Sequence, residues 1–364
     1  MLINIIFRQQ TQDGVWTCIK MITLQSLSLA WEHIFVIIVL LVFTLWIFRK
    51  LVKSDCPIKD LESKYVLITG CDSGFGQETA ILLDSLGVHV IATCLTARGE
   101  QELQKECCGR VRTFRLDVTK SKEVQEVYRA LQEELPHGTG LWGVVNNAGI
   151  AGVGPVDWIP VERFKHVADI NLWGLVDVTK TFLPLVKRAR GRIVNVTSIA
   201  GRFTLPFASP YSVSKYGAEA FSDAIRRELA PFGISVSIVE PGFFRTKMPT
   251  RENLTQQWET LWENLDDDKR DEYGEHYYNT RVKNMVDGIA DMMASPNTHH
   301  VCKAIAHALT SRTPKPRYVI GQDANYLWYL LSLLPTSAGD TLLRMLEKKA
   351  DPQCVAGDRL PLLQ

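Results

Sequence analysis

The chain has 364 residues, 46% hydrophobic and 22% charged, with a formal net charge of +1. That is enough apolar material for one large core and too little charge for a disordered chain. No long basic block is present, so a nucleic-acid partner is not expected and a small molecule is. The eight cysteines are scattered, without a Cys-x-x-Cys pair or zinc-like Cys/His spacing, and read as reduced thiols in a non-oxidising compartment. His299 and His300 adjoin without a second ligand cluster, so no metal site is expected.

Residues 1–20 show no clear periodicity, Met21 begins a stretch that would itself serve as an anchor sequence, and residues 1–26 read as an N-terminal extension. Ile34 to Phe48 then runs without a charge, and extended back to Leu27 it reaches roughly the 20 residues a bilayer span needs. Residues 27–48 are therefore expected to be a membrane-anchor helix, with a buried core helix as the alternative. A cleaved signal peptide is disfavoured because Arg49, Lys50 and Lys53 follow where small residues should stand. The same cations favour a cytosolic catalytic domain, but Arg8 and Lys20 on the other flank leave the orientation open. The sequon Asn253-Leu254-Thr255 would report a lumenal domain if it were glycosylated.

From Tyr65 on, short Val/Ile-rich runs alternate with helical patterns. The runs at Tyr65 to Thr69, Val88 to Thr93, Val111 to Leu116, Leu141 to Asn146, Arg192 to Val196, Ser235 to Val239 and Arg317 to Ile320 predict seven strands. Strands alternating with helices make an α/β fold: a doubly wound parallel sheet, helices on both faces, and a ligand crevice at the carboxyl ends of the strands. Residues 243–300, polar and rich in Trp and Tyr, break the rhythm and predict a substrate lid; a peripheral helical pair is the plainer reading. Tyr326 to Leu334 is an apolar run too short to span a bilayer, suited to the core or to a membrane surface. Residues 336–364 read as a C-terminal tail.

Immediately after the first predicted strand stands Thr69-Gly70-Cys71-Asp72-Ser73-Gly74-Phe75-Gly76, followed by a helical pattern from Gln77 to Leu86. Glycines at 70, 74 and 76 suit a tight turn that lets backbone approach a pyrophosphate. Ser73, Phe75 and the helix amino terminus complete that cradle. At the end of the second strand, where an acidic residue would take the ribose hydroxyls of NAD, stands Cys94. Neither Ser73 nor Leu95 is basic, and Arg98 is the nearest cation for a 2′-phosphate, so the balance leans only slightly from NADP to NAD. Asp117 could accept from an adenine amino group or simply start a helix cap before Thr119.

Tyr211 and Lys215 lie four apart at the start of a helical pattern running to about Ala230, on one helix face. An ammonium beside a phenol stabilises the phenolate and draws its pKa toward the working range of a general acid or base. Ser198 ends the fifth predicted strand, at the crevice, where its hydroxyl can meet both the phenol and a substrate oxygen. Asn147, in the Asn146-Asn147-Ala148-Gly149 strand end, can line the cofactor's path or form a plain turn. Asn171, unexpected within a helix, can hold a water linking Lys215 to solvent or lie on the surface. Pro241-Gly242 and Thr246 are placed to turn the chain past a nicotinamide.

Together the turn at 69–76, Asn-Asn-Ala-Gly at 146–149, Ser198, Tyr-x-x-x-Lys at 211–215 and Pro-Gly at 241–242 resemble the short-chain dehydrogenase/reductase family over about residues 62–335. The resemblance implies a Rossmann-type catalytic domain and an NAD(P)-dependent oxidoreductase acting on an alcohol. In it Tyr211 would be the acid/base, Ser198 the substrate-orienting hydroxyl, Lys215 the ribose ligand and pKa tuner, and Asn171 the fourth member of a proton relay. Leu-Trp-Gly at 141–143, Phe221-Ser222-Asp223, Arg226-Arg227-Glu228-Leu229 and Tyr273-Gly274-Glu275 resemble the retinol and hydroxysteroid branch. Ser209-Pro210-Tyr211 and Asn171-Leu172-Trp173-Gly174 are closer to mitochondrial 3-hydroxybutyrate dehydrogenase. A small lipophilic alcohol or ketone at the endoplasmic reticulum membrane is therefore expected, with a mitochondrial membrane and 3-hydroxybutyrate as the alternative and a catalytically idle cofactor-binding scaffold as the rival of another class. A homo-oligomer stays open.

Overall fold

The computed structural model describes residues 34, 36–44, 56–107, 109–246, 251–287 and 295–346. Residues 34 and 36–44 are helical with exposed Ile, Val, Leu and Phe side chains, and the rest of the expected anchor lies outside the described residues. Among the described residues no helix is long and apolar enough to cross a membrane.

From Pro57 onward the chain forms a separate compact unit built on seven strands: β1(Tyr65–Thr69), β2(His89–Cys94), β3(Val111–Arg115), β4(Gly143–Asn146), β5(Arg192–Val196), β6(Ser235–Pro241) and β7(Arg317–Ile320). They lie in the order β3-β2-β1-β4-β5-β6-β7, every pair parallel. The helices are α1(Gly74–Ser85), α2(Ala97–Glu106), α3(Ser121–Glu134), α4(Val161–Ala168), α5(Leu175–Ala189), α6(Ser209–Glu228), α7(Arg251–Glu263), α8(Asp267–Asp287, kinked at Gly274), α9(His299–Thr310) and α10(Thr336–Leu346).

The strand sequences are near-continuous apolar runs because both sheet faces are covered. Along β1, Val66 and Ile68 pack into a core shared with α1 and α9, while Leu67 packs into a second core with α3, α5 and α6, as a two-residue period requires. Chain order reverses between β1 and β4, so their carboxyl ends diverge and open the crevice there.

Two boundaries differ from the sequence expectation. Helix α1 begins at Gly74 rather than Gln77, so the last glycines of the turn are its first residues. The expected tail contains α10, whose Leu343 lines a cavity at the carboxyl edge of the sheet.

Candidate active site

A cavity of about 1010 Å³ lies along the carboxyl edge of the sheet, and the glycine turn forms one end of it. Gly70 has φ +71°, a left-handed conformation that an L side chain rarely adopts, and a Cβ there would meet Ala148 Cα at 2.8 Å. A Cβ on Gly76 would stand 2.6 Å from Asn147 Nδ2. Its absence lets Asn147 donate to the carbonyls of Thr69 (3.0 Å) and Gly70 (3.1 Å), which pins the turn to the end of β4. Ser73 makes no capping bond at the start of α1, so no side chain competes for those backbone N–H groups. Thr246 faces Gly74 across this mouth, and Pro241, Gly242 and Phe75 line it. This cradle fits the pyrophosphate and nicotinamide of a dinucleotide.

At the other corner of the cofactor end the structure corrects the sequence reading. Cys94 follows Val90 and Ala92 onto the α1 face of the sheet, is wholly buried and does not line the cavity; burial and then the Asp72 carboxylate push its thiol up to about 12. The carboxylate at this corner belongs to Asp72, a residue the sequence reading passed over. It accepts from Leu95 N (2.7 Å), Thr96 N (2.8 Å) and Thr96 Oγ1 (2.7 Å), joining the glycine turn to the end of β2. Arg98 instead pairs with Glu102 at 2.6 Å and lies outside the lining. Asp117 lines the cavity while accepting from Thr119 N and Oγ1, so it serves its own loop as well. Its carboxyl is held low by those bonds and by Lys120, against its partial burial.

Ser198, Tyr211 and Lys215 converge midway along the cavity. Ser198 accepts from Ala200 N at 3.1 Å, capping the short turn after β5, and its hydroxyl is directed at Pro241 O (3.5 Å). Burial raises the Tyr211 phenol above its usual range, and a hydrogen bond with Ser198 opposes that rise. Lys215 Nζ lies 5.6 Å from the phenol ring centroid. Burial lowers Lys215 itself to about 8, with Glu219 working the other way. Its Nζ donates to Val196 O at 3.1 Å.

Asn171 sits in a wide turn, Asp169–Gly174, where one extra residue per turn tips it inward. It is buried, accepts from Ile150 N (2.8 Å), and donates to Ile150 O (2.9 Å) and Ser214 Oγ (3.0 Å). It makes no direct bond to Lys215, but a Cβ placed on Gly149 would stand 3.1 Å from Asn171 Oδ1 and 3.6 Å from Lys215 Nζ, so the two polar groups face one small region.

Two buried polar assemblies that sequence reasoning missed position this centre. Asn146 Nδ2 donates to Asn195 Oδ1 and Thr179 Oγ1 (2.8 Å each), and Asn195 Nδ2 donates to Ser222 Oγ (2.7 Å), locking α6 over β4 and β5. Behind Lys215, Arg317 bridges Glu219, Glu240 and Asp223, Arg202 pairs with Glu240 at 2.7 Å, and Thr197 donates to Glu219. Glu219 lies four residues beyond Lys215, a spacing that could have flagged it.

The remaining walls are apolar. Phe203, Leu205, Phe207, Leu327, Trp328 and Leu343 line them, with Leu254 from α7 and Arg281 and Asn284 from α8. The insertion is stapled by a cluster of rings: Trp158 makes an edge contact with Trp258 at 5.8 Å and with Tyr273 at 5.2 Å, and Phe207 meets Trp258 at 5.5 Å. Phe207 holds φ +66°, an outlier for a bulky residue, directly before the helix that carries Tyr211. Among the described residues no cluster of metal ligands exists, and Cys71, Cys94 and Cys302 are unbridged buried thiols.

The short chain dehydrogenase family model matches residues 64–257. The chain is 44% identical over 296 residues to short-chain dehydrogenase/reductase family 9C member 7 of Mus musculus, covering 81% of this chain and 93% of that one. It is 43% identical over 299 residues to retinol dehydrogenase 16 of Rattus norvegicus (82% and 93% covered). A short-chain dehydrogenase structure from Streptomyces avermitilis superposes with a TM-score of 0.59 at 25% identity, covering 78% of this chain and 94% of that one. The chain belongs to the short-chain dehydrogenase family, in the branch that holds the retinol dehydrogenases, as an NAD(P)-dependent oxidoreductase acting on CH–OH groups.

Proposed function

We propose that this protein interconverts a lipophilic alcohol, of retinol or hydroxysteroid type, and its carbonyl. The observation that carries the reading is a single cavity in which a dinucleotide cradle and an apolar chamber meet at Ser198 and Tyr211. The nicotinamide, when bound, supplies the C4 that exchanges a hydride with the alcohol carbon. Tyr211 Oη takes or returns the hydroxyl proton, and Ser198 Oγ holds the substrate oxygen against it. The Lys215 ammonium, charged below about 8, holds the ribose and stabilises the phenolate as it forms. Asn171 positions Ile150 and faces Lys215, where a relay to solvent would pass.

NAD is preferred over NADP in this reading. The Asp72 and Asp117 carboxylates line the corner where a 2′-phosphate would sit, and Arg98 is committed to Glu102. Membrane attachment, at the endoplasmic reticulum, rests on the uncharged run from Ile34 to Phe48 and on the exposed Tyr326, Leu330, Leu333 and Met345 beside the apolar chamber. Purified protein tested with retinol, androgens and 3-hydroxybutyrate and with each cofactor should turn over the lipophilic alcohols with NAD. Exclusive use of 3-hydroxybutyrate, or tight cofactor binding with no turnover of any alcohol, would sink the proposal.

A further inference from the structure

Tyr211, Lys215, Glu219 and Asp223 follow one another at four-residue spacing along α6. The first two line the cavity, Glu219 is buried, and Asp223 is half-buried. A buried carboxylate is costly unless it is paired and hydrogen-bonded, and both partners are present: Glu219 accepts from Thr197 Oγ1 through one oxygen and from Arg317 through the other. Thr197 is the middle residue of the strand end Val196-Thr197-Ser198, in which the Val196 carbonyl takes the Lys215 ammonium at 3.1 Å. Helix α6 is therefore tied to the end of β5 on two successive turns, at Lys215 and at Glu219, and Ser198 follows the second tie directly. The turn after Ser198 seats on the same spot, since a Cβ on Gly201 would stand 2.9 Å from Glu219 Cγ and 3.0 Å from Lys215 O. The surrounding charges come from several elements: Arg317 of β7 bridges Glu219, Asp223 and Glu240 of β6, and Arg202, after β5, pairs with Glu240. Burial and then the Glu240 carboxylate raise the Glu219 carboxyl, while Thr197 and Arg317 oppose them. Burial works to discharge Lys215, and Glu219 is the group that opposes it.

We propose that Glu219 is a positioning residue for the reaction: its carboxylate, held by Arg317, clamps the Val196–Ser198 strand end to α6 and supplies the negative charge behind the Lys215 ammonium. One side chain thereby serves two members of the centre by separate means. The bond to Thr197 sets where Ser198 stands, and the charge acts on Lys215 and through it on the cofactor ribose. The inference rests on the oxidoreductase reading above and adds a residue to it.

The test follows NADH binding by fluorescence in the full chain from about pH 6 to 9.5, beside turnover of retinol with NAD. In wild type, NADH affinity should fall as Lys215 loses its charge near pH 8. Glu219→Gln keeps an acceptor for Thr197 but removes the charge. That fall should move about one pH unit toward acid, while kcat near pH 6.5 stays within about threefold. Thr197→Val keeps the charge and removes the bond, so kcat should drop about 3- to 10-fold with the pH dependence of NADH affinity unmoved. Glu219→Asp, which retains the charge on a shorter arm, should recover most of the pH position but not kcat. Asp223→Asn, which loosens Arg317 without touching the strand end, should move the fall less than half as far as Glu219→Gln. A purely structural Glu219 would lower urea midpoints and all rates together, leaving the pH dependence of NADH affinity in place; that outcome in Glu219→Gln overturns the proposal. If Glu219→Gln does not fold, Thr197→Val decides, and a wild-type kcat there overturns the clamp. A fall that moves in Glu219→Gln with no turnover of any alcohol would keep the role of the charge and defeat the reaction.

Discussion

The two sides of the cavity are built on different principles. The sheet side is assembled from strand ends and the start of α6, held by backbone pairing and by buried amides that tie β4, β5 and α6 together. The insertion side is held in large part by side chains: rings of Trp158, Trp258, Tyr273 and Phe207 grip one another across elements far apart in sequence. In the proposed mechanism the first arrangement fixes atoms for proton transfer, and the second encloses a volume. Reaction type and substrate choice would thereby be carried by separate parts of the fold.

The largest effect that would break this division is on the sheet side. Tyr211→Phe should lower kcat on the order of 10³-fold, since a positioned acid/base contributes 10² to 10⁴. Cofactor affinity, measured by NADH fluorescence titration, should stay within about threefold; turnover at the wild-type rate would remove Tyr211 from the chemistry. On the insertion side, Trp258→Ala deletes a fully buried ring and should cost about 3–5 kcal/mol in denaturant unfolding. Its KM should rise more than its kcat falls, and a variant that loses kcat alone would merge the two sides.

A comparable effect, dependent on pH, belongs to Lys215. Its folded pKa of about 8 lies below the unfolded reference, so below about 8 burial of the charge costs about 3 kcal/mol. Between about 8 and the unfolded value the unfolded chain binds more protons, so stability rises with pH. The advantage of Lys215→Met over wild type should accordingly shrink from pH 8 to 10, read from urea midpoints. The raised phenol of Tyr211 acts in the opposite sense only above its unfolded value near 10. An advantage independent of pH would mean that Lys215 titrates normally. The smallest effect is at the cofactor corner: Asp72→Asn should relax the NAD over NADP preference about five- to tenfold, and Arg98→Ala less than about twofold, in kcat/KM ratios. A larger response to Arg98 would place the cation in the site after all.

Legibility in the sequence follows the same division. All seven strands stood out because parallel strands covered on both faces are continuous apolar runs, and Asn147, Ser198 and Pro241 stand at strand ends with Tyr211 and Lys215 one helical turn apart. Cys94 was misplaced because only the register of β2, which sets it on the face of Val90 and Ala92, decides which way it points. Asp72 was overlooked because its carboxylate serves backbone N–H groups 23 and 24 residues away. Glu219, Glu240 and Arg317 gain meaning only as a set that the fold brings together.

Phe207 links the two sides, and its backbone gives the link a mechanical character. A bulky residue in the left-handed region carries roughly 1–3 kcal/mol of conformational strain, tolerated here while its ring is clasped between Trp258 and Arg281. Any lifting of the insertion would free the ring and let the peptide before α6 relax. The ring contacts that close the chamber are thereby set against a backbone angle that would favour its opening.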